Sequence, residues 1–144
     1  MSPSVMENAT NIRKNWSETV DKVVRNKPVF MKRTHDNLML SDIRLISYFL
    51  ELYTFEATAY TESDKSTTLS LDVLDISVNE ATFDLAINSL AHEILEYAND
   101  FYAEYEFWSK APNRQTHIPY VFKALIAGDE DTVKEMIVCQ NGQN

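Results

Sequence analysis

Eight apolar side chains, Phe83, Ile87, Leu90, Ile94, Tyr97, Phe101, Tyr105 and Trp108, recur at intervals of four, three, four, three, four, four and three. Only a helix gathers residues so spaced on one face, because about 3.6 residues complete each turn. The run predicts a helix of about 28 residues, the strongest periodic signal in the chain. Asn79 is the expected N-cap and Ala111-Pro112-Asn113 the stop.

The segments around it supply less. Tyr53 to Tyr60 alternates in part, as a strand or the end of a helix would. Glu62 to Ser66 is turn-like, and Leu69, Leu71 and Val73 alternate before Leu74, Ile76 and Val78 resume after a slip, so one or two strands fit. A helical piece over Tyr120 to Ala127 should end at Gly128 as a left-handed cap, with Asp129 capping a last amphipathic turn or two. The tail from Gln140 is expected to fray.

Upstream, Asn8-Ala9-Thr10 offers N-caps to a helix whose apolar stripe is Ile12, Trp16, Val20 and Val23-Val24. Asn26-Lys27-Pro28 ends it. Pro28 to Lys32 and Leu38 to Leu40 read as two strands around a Thr34-His35-Asp36-Asn37 turn. Ser41 or Asp42 then caps a helix running through Ile43, Leu45-Ile46, Phe49-Leu50 and Tyr53.

Composition decides mainly by exclusion. The chain has 144 residues and two glycines, Gly128 and Gly142, so neither a phosphate-cradling loop nor a dinucleotide fingerprint can be written. Its lone cysteine, Cys139, rules out an internal disulfide and a multi-cysteine zinc site. The start lacks the cationic and apolar regions of a signal peptide, and no apolar run approaches about 18 residues, so a soluble cytoplasmic protein with no membrane contact is expected. His92-Glu93-Ile94-Leu95-Glu96 misses the zinc-protease motif because Glu96 stands where a second histidine is needed. No nucleophile motif frames a serine. The expectation is a non-enzyme without metal, cofactor or small-molecule substrate.

The net charge of -9 conceals an asymmetry. Residues 1–50 hold eight cations and five acids, a net of +3; residues 51–144 hold five and seventeen, a net of -12. A basic module for one partner and an acidic body for another would look like this, as would two ordinary solvated surfaces.

One stretch resembles a known family. Ala9-Thr10-Asn11-Ile12-Arg13-Lys14-Asn15-Trp16-Ser17-Glu18 and the apolar stripe after it resemble the first helix of Phd/YefM-type antitoxins. Pro28-Val29-Phe30-Met31-Lys32-Arg33 resembles the family's second strand with its basic end, and Ser41 to Phe49 the helix after the hairpin. The match covers about residues 4–50, in the order strand, helix, hairpin, helix. It departs from the family in a shorter hairpin without the usual turn glycine, and in Ile12 where a small residue is typical. The remaining two-thirds has no counterpart in the family's usual disordered toxin-binding tail.

The resemblance implies a homodimer that presents its helix starts to the DNA major groove, and a C-terminal region that binds a toxin, often a RelE/YoeB-like ribonuclease or a Doc-like kinase. In that frame Arg13 and Asn15 would read bases, since arginine pairs bidentately with guanine and asparagine with adenine. Thr10 and Asn11 would meet phosphate at the helix start, and Lys14, Lys32 and Arg33 would contact the backbone. All seven also suit a solvated surface. Trp16, Val20, Val23 and Phe30 are core or dimer seam. Tyr97, Phe101, Tyr105 and Trp108 close the core of the second part or meet a partner, and the acids beside them would attract a small basic toxin.

The expected fold is α+β: a Phd/YefM-like module over 1–50 and an acidic, mostly helical unit with a small sheet over 51–144. The expected function is an antitoxin that neutralises its toxin by binding and represses its own operon on operator DNA. The alternative is a dimeric scaffold that keeps the fold without binding DNA.

Overall fold

Asn8 organises the first elements. A computed structural model describes residues 5–142, and the chain divides between Phe49 and Leu50 into two compact units. In the first, β1 (Glu7–Asn8) runs parallel to β2 (Val29–Arg33), pairing Asn8 with Lys32. The same Asn8 caps α1 (Ala9–Lys14), its Oδ1 accepting from the Thr10 N–H at 2.8 Å.

The single expected helix bends after one and a half turns. Asn15 (φ -118°, ψ 40°) leaves helical geometry, and α2 (Trp16–Arg25) begins beyond it. The Asn15 N–H shares its bond between Asn11 O and Ile12 O, both at 3.2 Å, which keeps the two segments joined. The bend splits the expected stripe. Ile12 and Val23 enter a small core with Val29, backed by Met31 and Leu40, whereas Trp16 is 52% exposed.

β2 pairs antiparallel with β3 (Asp36–Leu40), giving the order β1-β2-β3. The hairpin is tighter than expected. Asp36 and Asn37 belong to the strand, and Thr34 takes φ 53° where many hairpins use glycine. Arg33 and Asp36, opposite each other, close it with an ion pair at 3.1 Å. α3 (Ile43–Phe49) starts at Asp42, which accepts from the Arg44 N–H at 2.9 Å, and stops well before Tyr53.

The second unit departs most from the sequence reading, because its sheet has four strands. β4 (Phe55–Thr61) resolves the ambiguous segment as strand. β5 (Thr67–Leu71) and β6 (Ile76–Glu80) are separate strands. The slip between them is a 3-10 turn, Asp72–Leu74, that ends with Asp75 at φ 56°. β7 (Ile137–Asn141) takes in Gln140 and Asn141, which were expected to fray, and pairs in parallel with β4 from Phe55↔Ile137 to Ala59↔Asn141. The order is β6-β5-β4-β7. Gln143 and Asn144, the end of the expected frayed tail, lie outside the described residues.

Helices cover one face of this sheet. The long run folds as α4 (Phe83–Ala103) and α5 (Tyr105–Lys110), separated at Glu104 (φ -122°, ψ 45°), so the uninterrupted helix is corrected to two. Thr82 caps α4, its hydroxyl accepting from the Leu85 N–H at 3.2 Å; Asn79 instead sits in β6 and bonds Ser66 and Thr68. α6 (Ile118–Ala127) and α7 (Glu130–Met136) also pack on α4. Gly128 ends α6 at φ 82°, as anticipated, and Asp129 caps α7. Leu90, Ile94 and Phe101 from α4 meet Phe55, Leu69 and Leu71 from the sheet and Val121, Ala124 and Val133 from α6 and α7. The architecture is α+β.

Candidate functional site

In the first unit, four of eight cations already have acidic partners. Lys22 pairs with Glu7, Arg25 with Asp21, Arg33 with Asp36 and Arg44 with Asp42. Among the described residues Arg13, Lys14, Lys27 and Lys32 have no ion pair. Three of those four are residues that the resemblance assigns to DNA.

Local structure distributes them along α1. Ile12 anchors α1 in the core and leaves Arg13 and Lys14 exposed in its last turn. The Asn8↔Lys32 pairing sets the start of α1, with Thr10 and Asn11, beside the basic end of β2. Asn15 stands at the bend, where its side-chain amide donates to Asn11 O at 3.2 Å. A base contact would have to exchange that bond. Arg33 is tied to Asp36, so its charge is partly spent within the hairpin.

The apolar residues of this unit separate. Val23 is core, because the bend turns it inward beside Ile12 and Val29. Val20 and Phe30 are half-buried and Trp16 is open. Phe30 pairs with Met39 on the sheet face opposite the one that carries Val29 and Leu40 into the core.

In the second unit, the aromatic residues expected to meet a partner also divide. Phe101 is 1% exposed and surrounded by Tyr97, Tyr105 and Trp108 rings at 6.0, 6.0 and 6.5 Å. It is a core residue, since the inner face of α4 points at the sheet and α6. Tyr97 and Trp108 are half-buried, and Tyr105 lies open on the α5 side. Tyr102 and Phe107, which lie off the apolar stripe, are more exposed still. Ala103 to Phe107, Lys110, Ala111 and Pro112 line an open groove where the α4–α5 break turns the chain.

Two histidines gain defined surroundings. His92 sits on α4 between Glu96, at 2.9 Å, and Glu130 of α7. Glu130 above all, then Glu96 and Glu93, push its pKa up. His92, Glu93 and Glu96 bring one ligand atom each within 4.8 Å, but all three are exposed and two of them already form the ion pair.

His117 lies in a 3-10 turn (Gln115–His117) and is 3% exposed. Its Nδ1 meets Tyr97 Oη at 2.7 Å, and Arg114 Nη1 donates to the same oxygen at 3.2 Å. The Arg114 guanidinium also lies over the Tyr97 and Trp108 rings. Burial first, then the Arg114 charge, pushes the His117 pKa down. Sequence reasoning missed this chain because its members lie on α4 and on the segment before α6, with no periodicity connecting them. No described helix is long and apolar enough to cross a membrane.

Comparison with known proteins agrees with this architecture. No curated protein matches. A crystal structure at 1.80 Å of a protein from Syntrophomonas wolfei subsp. wolfei, described as the antitoxin part of a proposed toxin/antitoxin system, is 34% identical. It superposes with a TM-score of 0.88 over 95% of this chain and 99% of its own. A family model, PHD_like, described as the antitoxin of RelE/RelB toxin–antitoxin systems, matches residues 4–139. The match extends far beyond the N-terminal third in which the resemblance was legible, and takes in the acidic unit. The chain therefore belongs to the PHD-like antitoxin family of toxin–antitoxin systems.

Proposed function

We propose that the protein neutralises its toxin by direct binding and represses its own operon as a DNA-binding homodimer in the cytoplasm. The observation that supports the DNA half is the set of cations on the first unit that form no ion pair among the described residues. Arg13, Lys14 and Lys32 keep their charge for a polyanion while the cations elsewhere on the unit, Lys27 apart, are neutralised locally. Arg13 and Asn15 read base edges in this proposal; Lys14, Lys32, Arg33 and the α1 start at Thr10 and Asn11 position the duplex. The open Trp16, with Val20 and Phe30, supplies the dimer seam. The acidic second unit offers its exposed rings to a basic toxin, and no residue acts catalytically.

Gel-shift titration on DNA upstream of the gene tests the operator half. Arg13→Ala should weaken binding by about 1–3 kcal/mol and relax sequence preference. Unchanged affinity removes the base-reading role from Arg13. A folded dimer that binds no DNA at low salt supports the scaffold alternative, which the bonded Asn15 amide and the acidic second unit favour.

A further inference from the structure

The second sheet ends on an open strand. In the order β6-β5-β4-β7, β7 has β4 on one side and, among the described residues, no strand on the other. The Gly142 N–H bonds Ala59 O at 2.7 Å, and along a strand alternate residues turn their backbone groups to the same side. Val138 and Gln140 therefore bond toward β4, while Cys139 and Asn141 turn N–H and C=O outward. The Ile137 N–H is already used, closing α7 on Lys134 O. Sheet edges are ordinarily blunted by lysine, proline or a bulge. β7 has no charged residue, no proline and an unbroken register with β4, and its Val138 is 56% exposed.

The helix side of this edge is hollow. Ile137 and Cys139 line a groove of about 550 Å3 together with Phe83 and Ile87 of α4. Phe83 is 45% exposed, so its ring has room for another apolar neighbour. Asp84, Asp131 and Glu135 also border the groove against a single cation, Lys134, and none of the four has an ion pair among the described residues. A strand laid beside β7 would send alternate side chains to this helix face and over the groove. Backbone groups for pairing and a recess for alternate side chains are what strand addition requires. A second copy of this chain would bring the acids of two such rims together, within residues 51–144 that already carry a net charge of -12. An extended basic segment has the complementary sign.

We propose that β7 is the docking edge for an extended segment of the cognate toxin. The segment adds as a fifth strand, sets alternate apolar side chains into the groove beside Phe83 and Ile87, and brings lysine or arginine to Asp84, Asp131 and Glu135. The inference rests on the toxin-binding reading above and names the mode of contact, main-chain pairing at a sheet edge rather than stacking on the α4–α5 aromatics.

The test follows backbone amide exchange by 15N NMR in the full chain, alone and with the small basic protein encoded beside the gene. Alone, Cys139 and Asn141 should exchange freely while Val138 and Gln140 are protected by β4. The complex should slow Cys139 and Asn141 at least about tenfold. Glu135→Lys, an exposed change that suits the C-terminal end of α7, should weaken the complex about fivefold. Cys139→Pro removes an outward N–H and leaves the bonds to β4 whole, as edge prolines do, and should weaken it about tenfold. A complex in which Cys139 and Asn141 exchange as in the free chain overturns the inference and leaves the toxin reading standing. So does unchanged affinity in both variants. Protection of the two amides in the chain alone, rising with its concentration, overturns it in favour of a second copy at this edge. No complex at all overturns the toxin reading, and the inference with it.

Discussion

Truncating Phe101 separates a core role from a partner role at the most informative position of α4. The ring is 1% exposed and touches the rings of Tyr97, Tyr105 and Trp108. Removing a fully buried phenylalanine forfeits about 1.5–3 kcal/mol of transfer energy. The vacated space, about 100 Å3 at roughly 24 cal/mol per Å3, adds about 2 kcal/mol unless the walls close. Tyr105 belongs to the short α5 and can shift partway inward, so the expected loss for Phe101→Ala is about 4 kcal/mol. For a unit running from Leu50 to Asn144, that lowers Tm by about 16–32 °C. The assay is urea and thermal unfolding read by Trp108 in a Trp16→Phe background, which leaves a single tryptophan in the second unit. Tyr102→Ala, one residue on but 61% exposed, should cost under about 0.5 kcal/mol. A Phe101→Ala loss below about 1 kcal/mol would refute the core assignment and return the residue to the surface.

Thr82→Ala should cost about 1 kcal/mol in the same unfolding assay because it removes the α4 cap, whereas Asn79→Ala should leave α4 itself intact by helical circular dichroism. The raised pKa of His92 gives a pH signature. Its pairing with Glu130 and Glu96 stabilises the fold fully below the unfolded-state value of about 6.5, and that stabilisation fades as pH rises through the higher folded-state value. His92→Gln should therefore lower Tm at acidic pH and converge with wild type at alkaline pH; a constant difference would exclude the ion pair as cause. Tyr97→Phe should expose His117 Nδ1 and Arg114 to the loss of their shared oxygen, costing about 1–3 kcal/mol by denaturant titration. A neutral result would mean that the three groups are not linked.

What the sequence disclosed and what it hid follow from the range of the interactions. The α4 stripe was legible because helical periodicity is local. The break at Glu104 was not, because Tyr105 and Trp108 keep the apolar spacing across it while the backbone turns. Thr82 and Asn79 are equally good caps by residue type, and only the length of β6 decides between them. β7 carries Ile137, Val138 and Cys139 before Gln140 and Asn141, too short an apolar run to name a strand without its partner β4. The turn at Thr34 was expected, but its left-handed backbone was not, because threonine is a poor signal for positive φ. At the sites, basic residue types near the start of the chain could be named in advance. The bend at Asn15, the Asp36 pairing of Arg33 and the Tyr97–His117 chain could not, since each depends on residues brought together by folding.

The parallel pairing of β4 with β7 also sets a timetable. Phe55 waits for Ile137, 82 positions later, before that side of β4 is covered. At a synthesis rate of about 5–20 residues per second, the strand emerges about 4–16 s ahead of its neighbour. Its other side is occupied early, since β5 follows after a short turn. During that interval the bare edge of β4 is a template for any extended segment nearby, while the first unit, closed by its own local hairpin, has no comparable delay. Nascent chains of this protein are therefore most open to mispairing along a single strand, Phe55 to Thr61.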